Sequence, residues 1–99
     1  MRGHFFGGIY CISEGENGLY KIGVTKCPTY RINDLQMGNP RKIYLNFYIE
    51  CSDVRDKEKV IHDRFGEKHI RGEWFDVRPC DIIDAMHELA RKIIEDSTK

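Results

Sequence analysis

No apolar run in this chain approaches the ~20 residues that a membrane-spanning helix needs, so no membrane partner is expected. Met1–Gly8 lacks the apolar stretch of a secretion signal. The expected location is therefore intracellular: cytoplasm, nucleoid or nucleus. Cysteine is sparse. The four present, Cys11, Cys27, Cys51 and Cys80, form no Cys-x-x-Cys pair. That spacing gives little support to a structural zinc site and favours reduced, buried thiols. An excess of charge is also lacking. Lys plus Arg number 16, Asp plus Glu number 16, and the pI is about 6.9. Nucleic-acid binders are more often basic, so composition alone speaks mildly against one. No repeat, low-complexity tract or linker interrupts the 99 residues. One domain over 1–99 is expected, burying roughly 60–70% of its unfolded surface.

What is present is unevenly placed. Residues 1–45 carry Arg2, Lys21, Lys26, Arg31, Arg41 and Lys42 against Glu14, Glu16 and Asp34, a balance of +3. The remainder carries −3. A basic N-terminal face and an acidic C-terminal helix follow as an expectation, with Lys26, Arg41 and Lys42 as nucleic-acid-binding candidates.

Phe5 to Ile12 is aromatic and β-branched and reads as a strand. Asn17-Gly18 favours a tight reversal into a second strand, Leu19 to Thr25. Pro28 suits the first turn of a short helix over Thr29 to Met37, which Gly38-Asn39-Pro40 ends. Ile43 to Cys51 alternates, with Ile43, Leu45, Phe47, Ile49 and Cys51 on one face. Ser52 or Asp53 can cap a second helix, and Gly66 weakens its end. Gly72 to Val77 reads as a loop or short extended piece. Pro79 to Asp96 carries Ile82, Ile83, Met86, Leu89, Ala90, Ile93 and Ile94 as a helical apolar stripe. The order β-β-α-β-α-α predicts an α+β fold with a small antiparallel sheet flanked by helices.

Some residues sit oddly in this frame. Tyr10 follows Gly7-Gly8, where another backbone or a ligand can approach closely. Lys21 alternates with Tyr20, Ile22 and Val24, and Gly23 beside it is unusual inside a strand. Arg31 lies near the buried edge of the first helix, where its planar fork suits phosphate. Glu58 falls on the same helical stripe as Val54 and Ile61. A carboxylate there is costly unless paired or bound to a metal. His62 follows Glu58 at i+4 and could assist proton transfer. Each also has an ordinary reading: a strand tyrosine, a wet-face lysine, a boundary arginine, a structural Glu–Arg pair, a surface histidine. His4 and His69 have no comparable context, and His87 is expected to pack beside the last helix's stripe.

Taken together, Gly8-Ile9-Tyr10, Tyr20-Lys21-Ile22-Gly23-Val24, Pro28, Arg31, Leu35-Gln36, Gly38-Asn39-Pro40, Glu58, His62, Phe65 and Gly72-Glu73-Trp74-Phe75 resemble the GIY-YIG nuclease superfamily. The likeness spans residues 8–77 and is closest to a small phage, viral and fungal branch. It implies a three-stranded antiparallel sheet flanked by helices. It also implies Tyr10 near a nucleophilic water, Arg31 as the helix arginine and Glu58 as the metal-binding glutamate. Lys21 stands where the second motif usually has tyrosine, as in some restriction-type members. Val24 replaces a lysine of repair-type members, and a later asparagine is replaced within Trp74-Phe75.

The function expected on that basis is a metal-dependent endonuclease acting on nucleic acid, DNA in the first instance. Its catalytic set would be Tyr10, Lys21, Arg31 and His62, with one Mg²⁺ or Mn²⁺ on Glu58. Cutting both strands with one small site would need a homodimer or two visits. The alternatives are a weakly active or inactive nucleic-acid-binding or interaction module on the same fold, and a zinc-stabilised structural domain.

Overall fold

The computed structural model describes residues 7–15 and 19–97. His4, the beginning of the first strand at Phe5 and the Asn17-Gly18 reversal lie outside the described residues. β1 (Gly7–Glu14) and β2 (Leu19–Thr25) pair antiparallel, with Tyr10 opposite Gly23 and Ile12 opposite Lys21. α1 (Pro28–Met37) follows, with Pro28 in its first turn. β3 (Ile43–Cys51) then returns antiparallel along the other side of β1. α2 (Val54–Arg64), a tighter turn at Gly66–Lys68, β4 (His69–Arg71), β5 (Trp74–Asp76) and α3 (Pro79–Ser97) complete the chain.

The class is α+β with an antiparallel sheet, as the sequence predicts. The sheet is larger than the three strands expected. It has five, in the order β3-β1-β2-β5-β4. The added pair comes from His69 to Asp76, where a tight turn with Gly72 at φ 55° folds the chain back on itself. Three-residue strands offer too few positions for alternation to show. β5 then docks on β2, with Tyr20 opposite Phe75 and Lys21 opposite Trp74.

The sheet has two covered faces. On one, Ile9, Cys11, Tyr20 and Ile22 pack against Val54, Ile61 and Phe65 around α2 and against Ile82, Ala85, Met86 and Leu89 of α3. On the other, Tyr10, Ile12 and Ile43 pack with Ile32 and Leu35 of α1 and with Tyr48 and Trp74. The expected alternation of β3 fails at its middle. The register of β1 against β3 slips between Cys11 and Ile12, so Asn46 is an extra residue. Ile43 and Leu45 therefore share the α1 face, whereas Phe47, Ile49 and Cys51 share the α2/α3 face. The stripe of α3 is also narrower than predicted. Ile83 and Ile94 are exposed, while Ala85 is buried.

Asp53 takes the N-cap position of α2 in the left-handed region, φ 52°, without a side-chain capping bond. Asp56 occupies its first turn, where the helix dipole favours an acid. All four cysteines are free, but only Cys11 and Cys51 are buried; Cys27 and Cys80 are exposed. Burial pushes the Cys11 thiol up to about 12. Among the described residues no helix is long and apolar enough to cross a membrane.

Candidate active site

The central hairpin builds the floor of the site. Because strand side chains alternate, pairing Tyr10 with Gly23 and Ile12 with Lys21 puts the phenol and the ammonium on one face. This is the face that α1 covers, so it is not the wet side that a lysine usually occupies. The Lys21 side chain is only 13% exposed, and Tyr10 is fully buried. The phenol is thus a floor group rather than one at the mouth of a cleft.

Two glycines make room for this. A Cβ on Gly23 would lie 2.6 Å from the Tyr10 hydroxyl and 2.7 Å from Glu73 Oε1. A Cβ on Gly8 would run into the Tyr48 ring. Tyr48 sits opposite Tyr10 on β3 and donates its hydroxyl to the Thr25 carbonyl at 3.4 Å. Glycine at these positions lets two aromatic side chains lie flat across neighbouring strands.

Arg31 projects from the first turns of α1 against the Tyr10 hydroxyl, half-exposed, with Asp34 3.5 Å away. Burial raises the Tyr10 pKa above its ordinary value. The adjacent guanidinium works against that shift, and the carboxylates of Glu73 and Glu58 add to it. The phenol is therefore held neutral at physiological pH.

Glu58 belongs to α2, on the other side of the sheet, and reaches the site around an edge. β5 pairs with β2 only as far as Lys21, closing with a bond from Ile22 N to Glu73 O of 3.1 Å. The Glu58 side chain is 15% exposed, and His62 Nε2 lies 3.7 Å from its carboxylate. Burial raises its pKa, the Glu73 carboxylate raises it further, and His62 and Arg55 oppose the rise. Glu58 thus faces a second carboxylate, Glu73, as well as His62 and Arg55.

His62 is not an ordinary surface histidine. Its Nε2 lies 2.8 Å from the Ile22 carbonyl. A carbonyl can only accept, so Nε2 carries the hydrogen and donates it. The ring also packs edge-on against Phe75, centroids 4.9 Å apart. The side chain satisfies the Ile22 carbonyl and ties α2 to the sheet. His69 donates to Gly72 O at 2.6 Å. His87 packs edge-on to Phe47, as expected of it.

A metal ion fits the donor chemistry at one place. Glu73 is near enough to Glu58 to disfavour the Glu58 charge. Among the described residues no group of three or more His, Cys, Asp and Glu gathers as a closed cage. Mg²⁺ is usually held by one or two carboxylates, waters and substrate phosphate, and two carboxylates beside an arginine and a lysine meet that description.

The model of the T5orf172 domain matches residues 7–91, nearly all of the chain. The chain belongs to the T5orf172 domain family. No curated protein and no solved structure matches it. The match covers every site residue of this T5orf172 domain, from Tyr10 to Glu73.

The residue whose part was not foreseen is Glu73. Its Oε1 lies 3.2 Å from Lys21 Nζ, while Trp74 next to it brings its ring centroid to 5.8 Å from the same ammonium. A signal existed: a lysine on a strand that becomes covered needs a counter-charge, and Glu73 is the acid beside the turn that covers it. Lys26, Arg41 and Lys42 are all exposed, at the start of α1 and in the turn before β3.

Proposed function

We propose that this T5orf172 domain is a metal-dependent endonuclease of the GIY-YIG type that hydrolyses phosphodiester bonds in nucleic acid, DNA in the first instance. More coarsely, its family supports a nuclease-like or nucleic-acid-interacting module. The observation that carries the finer reading is the gathering of Tyr10, Lys21, Arg31 and Glu58 around Gly23, from four separate elements.

Hydrolysis needs a water deprotonated as it attacks phosphorus, charge stabilised on the phosphoryl oxygens, and the departing 3′ oxygen neutralised. Tyr10, held as a phenol by burial, suits a relay. Its oxygen takes the proton from the attacking water as its own proton passes towards solvent. Arg31 and Lys21 point donors at the phosphoryl oxygens, Lys21 from a mostly covered position where such contacts are stronger. Glu58 would hold one Mg²⁺ or Mn²⁺, which when bound supplies neutralising charge at the leaving oxygen. Lys26, Arg41 and Lys42 would hold the flanking phosphates. His62 keeps α2, and so Glu58, in place. One such site cuts both strands as a homodimer or in two visits.

A second reading has its own support. Lys21 is already engaged by Glu73, and the Tyr10 phenol is shifted away from ionisation. Both fit a weak or inactive nucleic-acid-binding module. Supercoiled plasmid incubated with Mg²⁺ or Mn²⁺, with and without chelator, separates the two. The nuclease reading expects nicked or linear product that chelator, Tyr10→Phe and Arg31→Ala each suppress. Binding without any cleavage, in either metal, would leave the module reading.

A further inference from the structure

We infer that Glu73 is the resident counter-ion of this site: its carboxylate occupies the place on Lys21 that the scissile phosphate takes, and substrate binds by displacing it. This rests on the nuclease reading and adds a residue to it.

The Lys21 side chain lies on a covered sheet face and is only 13% exposed, where an ammonium is costly without an anion. Glu73 supplies one at 3.2 Å. The same carboxylate oxygen crowds Gly23 alongside the Tyr10 hydroxyl, which is where a phosphoryl group must lie to meet Tyr10, Lys21 and Arg31 together. Glu73 and a phosphodiester each carry a single negative charge. Exchanging one for the other keeps Lys21 neutralised throughout.

The position also allows the side chain to leave. The Glu73 backbone is fixed by its carbonyl's bond from Ile22 N, so the strand need not move. Its side chain is 38% exposed, against 13% for Lys21, and solvent lies on its outer side. Staying costs something as well, because Glu73 faces Glu58, whose charge it disfavours. Arrival of a phosphate therefore exchanges one anion for another and preserves the ion pair of Lys21.

The test is binding without chemistry. A short fluorescein-labelled DNA duplex is titrated with protein in chelator at fixed ionic strength, and anisotropy gives Kd. Glu73→Gln should bind about tenfold tighter than wild type. Glu73→Asp keeps the charge but shortens the reach to Lys21, and it too should bind more tightly. Lys21→Met should weaken binding, and adding Glu73→Gln to it should recover much less than the full gain. Circular dichroism and thermal transitions of every variant establish that it is folded.

Unchanged or weaker binding by both Glu73 variants overturns the inference. So does an equal gain from Glu73→Gln with and without Lys21, which would mean long-range repulsion alone. If Lys21→Met weakens binding while the Glu73 variants do not tighten it, only this inference fails. If Lys21→Met binds like wild type, the phosphate role of Lys21 in the nuclease reading fails as well.

Discussion

Glu58 is held in a place that favours its uncharged form. In an unfolded chain a glutamate ionises near pH ~4.3; in the folded protein burial and Glu73 raise that value. Between the two values the native state keeps a proton that the unfolded state has released. Stability therefore falls as pH rises through this window, and the loss persists above it. Glu58→Gln removes the penalty while keeping the shape. It should abolish divalent-dependent cleavage yet raise Tm at pH 7.5 by about 2–5 °C, with almost no difference near pH 4. A lower Tm at neutral pH would show that Glu58 is a stabilising partner. Gly23 gives the complementary case. Alanine there meets the buried Tyr10 hydroxyl and Glu73 Oε1, so Gly23→Ala should cost roughly 1–3 kcal/mol of stability. It should also lower cleavage by at least about tenfold, the cost of about an ångström's misplacement of reacting groups being larger still. Wild-type cleavage in that variant would place the chemistry away from Tyr10.

At the scale of elements, the strands and helices with long, regular patterns were legible and the short or irregular ones were not. Leu19–Thr25, Ile43–Cys51 and the helix from Pro79 stand where their patterns put them. The β4–β5 pair escaped because its strands are three residues each, and with it went the role of Glu73. The slip at Asn46 escaped because a bulge leaves the sequence alternation intact while turning half of the strand over. Tyr10, Lys21, Arg31 and Glu58 could be singled out because each sits awkwardly in its local pattern. That Lys21 is covered, and that Glu58 rounds a sheet edge, are tertiary facts with no local trace. The same limit shows in α3, whose seven-residue stripe is only partly used. Met86 is wholly buried whereas Ile94 is 63% exposed. Met86→Ala should cost about 2–5 kcal/mol, and Ile94→Ala should stay within about 0.5 kcal/mol, by chemical denaturation. Equal costs would mean that α3 is seated differently against the sheet.

For the whole molecule, zero net charge conceals a division between the two sides of the sheet. The α1 side carries the site with Lys21 and Arg31, and Lys26, Arg41 and Lys42 stand exposed around it. The opposite side is covered by α2 and α3, and α3 adds Asp84, Glu88, Glu95 and Asp96 at exposed positions against Arg91 and Lys92. On the proposed function a phosphate backbone would dock on the first side and keep away from the acidic α3. Binding on the α1 side releases counterions in proportion to the phosphates neutralised, so log K should fall with log salt by roughly 0.9 per contact. Arg41→Ala and Lys42→Ala should each make that slope shallower by about that amount if each meets a phosphate. Asp84→Asn combined with Glu95→Gln changes the net charge by as much as that pair of cation variants together, but in the opposite direction and on the far side. At an ionic strength where the Debye length is about 8 Å, affinity and slope should hardly respond to it. If the acidic double variant tightens binding as strongly as the Arg41 and Lys42 variants weaken it, the nucleic acid also reaches α3, and the division of the molecule into a binding side and a repelling side is wrong.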